Sequence, residues 1–275
     1  MTERWRVPPG RKVSLDDFDP ASTSGSPGDR AATESDLPVL QSRLQELQDR
    51  LWAEGRRALL VVLQGLDAAG KDGTIKHVFS GVNPQGARVA SFKEPTHEEL
   101  SYDFLWRVHR QVPRAGEIGI FNRSHYEDVL VARVDKLVDA RVWSARFEDI
   151  NAFERLLAHG GTTVVKFFLH ISYEEQGRRL QERLERPDKR WKLNRTDFTE
   201  RAHWDRYRTA YADALTKTST ETAPWYVIPS DHKWFRNWAV SKTLVAALDA
   251  MDPRYPEPPP LEGVTFPDRG APHNG

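Results

Sequence analysis

The segment Gln64-Gly65-Leu66-Asp67-Ala68-Ala69-Gly70-Lys71-Asp72-Gly73 restricts this chain more than any other. It follows the apolar run Ala58-Leu59-Leu60-Val61-Val62-Leu63, which reads as a buried parallel strand. It precedes Thr74-Ile75-Lys76-His77-Val78-Phe79, which predicts a helix to about Ser80. Gly65 and Gly70 keep the spacing G-x-x-x-x-G-K, and strand, glycine loop and helix in that order are the setting of a phosphate-binding loop. Glycines let the backbone turn tightly and aim successive N–H groups at one anion. The helix N-terminus adds its positive end, and Lys71 brings a full charge to an outer phosphate. Ala68, Ala69, Gly70, Lys71, Asp72, Gly73 and Thr74 are therefore the predicted phosphate contacts. The residue after the lysine, ordinarily a Ser or Thr that ligates Mg²⁺, is Asp72. A carboxylate there, like Asp67 inside the loop, can reach a metal directly or through water, but repels a close phosphate unless a cation stands between them. The competing reading is a Gly-rich turn in which both aspartates cap the helix.

The 275 residues fit one large α/β domain or two small ones, and the organisation expected is a single domain over 1–275. Acids and bases balance, so net charge says nothing of a polyanionic ligand and only local clustering can. Without cysteine there is no disulfide framework, thiolate nucleophile or cysteine-bound zinc. No H-E-x-x-H pair exists, and Ser124 lacks a G-x-S-x-G setting. No apolar run approaches the roughly 20 residues of a membrane span, and Met1–Arg6 lacks a signal-peptide core. The expectation is a cytoplasmic protein with no membrane partner and no nucleic-acid partner.

Residues 1–34 read as an arm that packs through Trp5, Val7, Val13, Leu15 and Phe18. Leu40, Leu44, Leu47 and Leu51 form an apolar stripe on a helix expected from about Glu34 to Glu54, capped by Ser35 and stopped by Gly55. Further strands are expected at Ala87–Phe92, Glu117–Phe121, Thr162–His170 and Trp225–Ile228. Helices are expected at about His97–Gln111 (Thr96 cap; Leu100, Phe104 and Val108 inward), Ser144–His159, Tyr173–Arg186, Asp197–Lys217 and Lys233–Met251. A Pro-rich tail occupies 253–275. Strands alternating with helices predict a five-stranded parallel sheet covered on both faces. Right-handed crossovers then bring the loops after Leu63, Phe121 and Leu169 to one edge.

Two further groups of residues point to that edge. After the third strand come Asn122-Arg123-Ser124-His125-Tyr126-Glu127-Asp128. Here Arg123 is a fork suited to phosphate oxygens, and Glu127 and Asp128 are acids able to ligate a metal and order water. The plainer alternative is a helix N-terminus whose acids favour the dipole. After the fourth strand, residues 172–217 hold a basic run in which Arg179, Arg183 and Arg186 share a helical face and Lys189, Arg190 and Lys192 follow. Nucleotide kinases carry a mobile lid at this place, and basic lid residues close over transferring phosphates. Trp191 is the expected anchor of such a lid, and a solvated charged face is the competing reading.

Gly65–Gly73, Val82-Asn83-Pro84-Gln85-Gly86 and Phe121–Val129 together resemble the polyphosphate kinase 2 family. The likeness continues through Lys189-Arg190-Trp191-Lys192, Ser219–Trp225 and Asp231-His232-Lys233-Trp234, and Asp72 after the loop lysine is part of the family pattern. The resemblance implies a P-loop kinase fold, thymidylate-kinase-like, with a helical lid. It implies reversible transfer of a terminal phosphoryl group from inorganic polyphosphate to AMP and ADP, with Mg²⁺ (or Mn²⁺), on adenine nucleotides and in a wider range guanine nucleotides, by a homo-oligomer, dimer or tetramer. Tyr126-Glu127-Asp128 with Asn122 resembles the class that phosphorylates both AMP and ADP. On this reading the loop amides and Lys71 hold donor phosphates, Asp67 and Asp128 position the metal, and Glu127 organises the acceptor side. Arg123 and Arg133 hold acceptor phosphates, while Arg183, Lys189, Arg190 and Lys192 guide the polyphosphate chain and close the lid. An ATP-dependent nucleoside monophosphate kinase and a non-catalytic polyanion-binding module are the alternatives. The missing Ser/Thr after Lys71 counts against the first, and paired acids facing the loop count against the second.

Overall fold

In a computed structural model describing residues 2–193, 198 and 201–260, five parallel strands stand in the order β2-β3-β1-β4-β5. These are β1 Ala58–Gln64, β2 Ala87–Ser91, β3 Ile118–Asn122, β4 Thr162–His170 and β5 Trp225–Pro229. Every residue of β1 is buried, as an apolar strand covered on both faces must be. It pairs with β3 on one side (Leu63 opposite Asn122) and with β4 on the other (Gln64 opposite Phe168). The loops leaving β1, β3 and β4 are therefore neighbours at the carboxyl edge, where the chain changes its direction of winding.

The helices are α1 Arg30–Glu54, α2 Lys71–Val78, α3 His97–Leu100, α4 Trp106–His109, α5 Val131–Val134, α6 Ala140–His159, α7 Tyr173–Glu185, α8 Trp204–Thr218 and α9 Lys233–Met251. Two sets cover the sheet: α9 packs against α1 and α2, whereas α8 packs against α5 and α6. The leucine stripe of α1 is buried throughout, and Gly55 ends the helix with a left-handed φ of 62°. The helix starts a turn earlier than its stripe suggests. Asp29, not Ser35, is its cap, with the carboxylate accepting from the Ala32 N–H, while the Ser35 hydroxyl donates to the Ala32 carbonyl.

The stretch expected as one helix from His97 to Gln111 is instead two single turns, α3 and α4. Asp103 accepts from the Leu105 N–H at 2.9 Å and Ser101 donates to the Glu98 carbonyl, local bonds that replace the helical ladder. Leu100 is exposed as a result, while Val108 is buried. Thr96 caps α3 in a reciprocal box with Glu99, as expected. The arm is anchored as its apolar residues predict. Trp5 lies edge-on to Phe235 and Trp238, and Arg6 bridges Tyr226 antiparallel at the outer edge of β5. No described helix is long and apolar enough to cross a membrane. The start of the helix expected from Asp197, and residues 261–275 of the tail, lie outside the described residues.

Candidate active site

The loop after β1 closes around Lys71. Gly65 and Gly70 take φ of 155° and 112°, conformations open to glycine, and Gly70 is the N-cap of α2. Neither Asp67 nor Asp72 caps that helix. Asp72 instead accepts a hydrogen bond from Asn122 Nδ2 at 2.8 Å, tying the loop to the end of β3. The Lys71 ammonium is buried beneath the loop, donating to the Gly65 carbonyl at 2.6 Å and lying 3.8 Å from Asp67 Oδ1.

Arg123 leaves β3 with a left-handed φ of 62°, a strained conformation for a side-chain-bearing residue and one concentrated at functional loops. The turn throws its guanidinium across the edge, where it donates to Asp67 Oδ1 at 2.6 Å and to Glu127 Oε2 at 2.9 Å. Ser124 caps the short 3₁₀ turn His125–Asp128 that presents both acids. Asp128 lies 3.5 Å from Arg107 and 3.4 Å from Arg146. Burial pushes its carboxyl above the usual aspartate value, against the pull of both arginines and with the help of neighbouring Glu127. Asp67, Lys71, Arg123 and Glu127 thus form one connected group, and Asp128, next to Glu127 in the turn, is held by Arg107 and Arg146. Among the described residues no three acids or histidines converge as a metal cage. Asp67 and Asp128 are hard oxygen donors of the kind Mg²⁺ takes one or two at a time, with phosphate oxygens and water filling the rest, so the donor set fits that ion.

Other predicted residues stand apart from this group. Arg133, on α5, donates to Asp213 on α8 at 2.6 Å and lies 4.4 Å over the ring of Trp143. Arg183 is half-buried in the last turn of α7. Lys189 bonds Glu182 at 2.5 Å and Arg190 bonds the Leu184 carbonyl at 2.8 Å. Trp191 is 77% exposed and donates to the Asp188 carbonyl. The side chain of Lys192 lies outside what the structure describes.

Sequence reasoning missed what holds the loop from behind. Gln176 donates to the Asp67 carbonyl at 3.1 Å. Arg179, read as part of a basic face, is buried and donates to the Ala68 and Ala69 carbonyls at 2.9 and 3.0 Å. Arg236 donates to the Ala69 carbonyl at 3.1 Å. It also missed a buried network beneath Tyr126. Lys166 donates to Glu154 Oε2 (2.5 Å), to the Tyr126 hydroxyl (2.9 Å) and to the Thr218 carbonyl (2.7 Å), and the Tyr126 hydroxyl donates to Glu154 Oε1 (2.8 Å). His125 Nε2 lies 3.1 Å from the same carboxylate. Burial alone would raise the Glu154 carboxyl, but Lys166 and His125 hold it below its ordinary value. The available signal was a lysine inside the apolar run Val164–Leu169, since a buried charge requires a partner.

The chain as a whole has known relatives. The family profile described as "Polyphosphate kinase 2" matches residues 28–256. A protein of Meiothermus ruber named AMP/ADP-polyphosphate phosphotransferase is 56% identical over 93% of this chain and 96% of its own. One of Rhodopseudomonas palustris named ADP-polyphosphate phosphotransferase is 41% identical over 94% of this chain and 93% of its own. The crystal structure of polyphosphate kinase 2 from Arthrobacter aurescens TC1 superposes with a TM-score of 0.90 at 46% identity, covering 93% of this chain and 91% of that one.

Proposed function

The chain belongs to the polyphosphate kinase 2 family, and we propose on that premise that it transfers a terminal phosphoryl group from inorganic polyphosphate to AMP and ADP, giving ADP and ATP. The observation that carries this reading is the connected group at the carboxyl edge. There a glycine loop with a buried lysine faces an arginine fork, which is itself bonded to Asp67 of that loop and to Glu127 of the loop after β3.

Phosphoryl transfer asks a protein chiefly for in-line positioning and neutralisation of charge. In the proposed scheme the loop amides and Lys71 hold donor phosphates, and Arg123 and Glu127 arrange the acceptor. Asp67 and Asp128 would hold Mg²⁺, which when bound screens phosphate oxygens that would otherwise repel these carboxylates. Arg107 and Arg146 keep Asp128 in place and add positive potential to the edge. Lys71 needs no large rearrangement to meet a phosphate, since its ammonium is already oriented inside the loop by carbonyl oxygens. No protein phosphoryl intermediate is required. The roles of Arg183, Lys189, Arg190 and Lys192 as lid residues, and of Arg133 as an acceptor contact, belong to a closed conformation in which the present bonds of Lys189, Arg190 and Arg133 are exchanged for phosphate. AMP as well as ADP is proposed as acceptor because the 56% identical relative carries the AMP/ADP name and the 41% identical one the ADP name alone. A cytoplasmic homo-oligomer is the assembly carried over from the family resemblance.

The test is a nucleotide assay with Mg²⁺ and long-chain polyphosphate, started from AMP with no ATP present. ADP followed by ATP is the expected result. Turnover only when ATP is the donor would move the protein to ordinary nucleotide kinases, and salt-sensitive binding without turnover would make it a polyanion-binding module.

A further inference from the structure

Gly70 owes its identity to more than its φ. A Cβ built there would lie 1.8 Å from Arg236 Nη1, so the guanidinium occupies the place of the missing side chain and presses on the loop from the α9 side. Arg236 is 2% exposed. Besides the Ala69 carbonyl, the only bonds of its guanidinium among the described residues are to the Asn237 side-chain oxygen, at 2.8 and 3.2 Å. Among the described residues no carboxylate pairs with it, and the charge that acts on it is that of a second cation, Arg179. A buried guanidinium ordinarily has an acid beside it. Arg179 does: its Nε bonds Glu175, while its two other nitrogens bond Ala68 and Ala69 on one side and Ser230 and Asp231 on the other.

Three successive carbonyls of the loop, those of Asp67, Ala68 and Ala69, are thus held from behind by Gln176, Arg179 and Arg236. A trans peptide sets its N–H opposite its C=O. A donor fixed on the Ala69 carbonyl therefore turns the Gly70 N–H away from α9 and toward the ligand side, and that N–H has no partner among the described residues. A charged donor also polarises the amide, making its N–H a better donor in turn.

We propose that Arg236 is a positioning residue for donor-phosphate binding: it orients and polarises the Ala69–Gly70 peptide, and its uncountered charge finds its counter-ion in the donor phosphate on the far side of the loop. The inference rests on the phosphate-loop reading above and deepens it, since it names a residue of α9 that acts through the loop without touching substrate. Burial and the neighbouring Arg179 pull the Arg236 guanidinium down to about 9, which still leaves it charged at neutral pH.

The test compares wild type with Arg236→Met and Arg236→Lys. Polyphosphate and AMP are varied separately, and the shift in melting temperature on adding inorganic tripolyphosphate with Mg²⁺ is read alongside. The expected result for Arg236→Met is a loss of about tenfold or more in kcat/KM for polyphosphate, the scale of one charged hydrogen bond, with KM for AMP changed less than about twofold and the tripolyphosphate shift reduced. Arg236→Lys, which keeps a cationic donor, restores most of both. An unchanged polyphosphate response in Arg236→Met overturns the proposal. So does an equal loss toward both substrates that lysine does not rescue, for that is the signature of packing alone. If Arg236→Met does not fold, Arg236→Gln retains a neutral donor and drops the charge, and an undiminished tripolyphosphate shift in it overturns the proposal. Wild type that binds tripolyphosphate but makes no ADP defeats the functional reading and leaves this test standing. Wild-type turnover matched by Arg236→Met defeats the inference and leaves the function standing.

Discussion

At the scale of single residues the site is a contest between opposite charges already packed together. Asp67 shares a region of low exposure with Lys71 and Arg123, and Asp128 one with Arg107 and Arg146, so each acid has a cation within reach before any ligand arrives. In the proposed reaction a phosphate chain entering here would meet cations that acids have oriented, and would displace carboxylate from guanidinium instead of water from an open lysine. Lys71 is the residue with the least slack, buried and bonded to its own loop. Lys71→Ala is expected to lower kcat/KM for polyphosphate by about 10²–10³, as loss of a preorganised electrostatic contact does, with the unfolding midpoint little changed. Normal turnover in that variant would remove the loop from the reaction. The loop around Lys71 was legible in the sequence because G-x-x-x-x-G-K ties chemistry to a local backbone shape, whereas Arg107 and Arg146 carried no such signal. Arg236 and Gln176 were not, because they bond the loop from helices more than a hundred residues away in the chain.

At the scale of elements, the strands and long helices follow the periodicity of the sequence closely. β4 and α9 occupy Thr162–His170 and Lys233–Met251 as their apolar patterns predict. The exception is instructive, for the spacing of Leu100, Phe104 and Val108 is helical, yet Ser101 and Asp103 offer the backbone local side-chain bonds that compete with a helix. The break lets Arg107 turn inward, to the Lys93 carbonyl and toward Asp128, so a local defect in the helix supplies a site residue. The pairing of Lys166 on β4 with Glu154 on α6 was equally out of reach, since a charge in an apolar strand announces that it needs a partner without saying which. That pair, fully buried beneath Tyr126, carries its own prediction. Lys166→Met leaves the buried Glu154 carboxyl without its lysine and is expected to cost about 3–5 kcal/mol. The double variant Lys166→Met with Glu154→Leu is expected to cost less than the two single changes together. Urea unfolding of the four proteins decides, and a single-variant cost below about 1 kcal/mol would show that the network is not the support of the 125–128 turn.

At the scale of the whole molecule, the N-terminal arm closes the sheet on the β5 side. Val7 donates to the Trp225 carbonyl, Ser219 donates to the Val7 carbonyl, and Trp5 fills the space between Phe235 and Trp238. This covers an edge strand that would otherwise present unpaired backbone groups. Trp5→Ala is expected to cost about 3–5 kcal/mol as a large-to-small change in a buried site, read as a lower urea midpoint. Farther along, the arm meets the carboxyl end of β4, where His170 lies 3.1 Å from the Phe18 carbonyl. Burial, reinforced by Arg208 and opposed by the Phe18 and Leu15 backbone and by Asp231, pulls this imidazole down to about 4. The unfolded chain protonates His170 from about pH 6.5 downward, whereas the folded chain does so only near pH 4, so the unfolded state binds the extra proton in between. The stability secured by the neutral ring is whole above pH 6.5, falls as pH drops through that window and is constant below it. About 2 kcal/mol of it is expected to go between pH 7 and pH 5. His170→Gln, which keeps a donor within reach of Phe18 but cannot titrate, is expected to remove that part of the pH dependence. Parallel pH profiles for wild type and variant would instead mean that other groups set the acid limit and that the arm is held independently of the charge on His170.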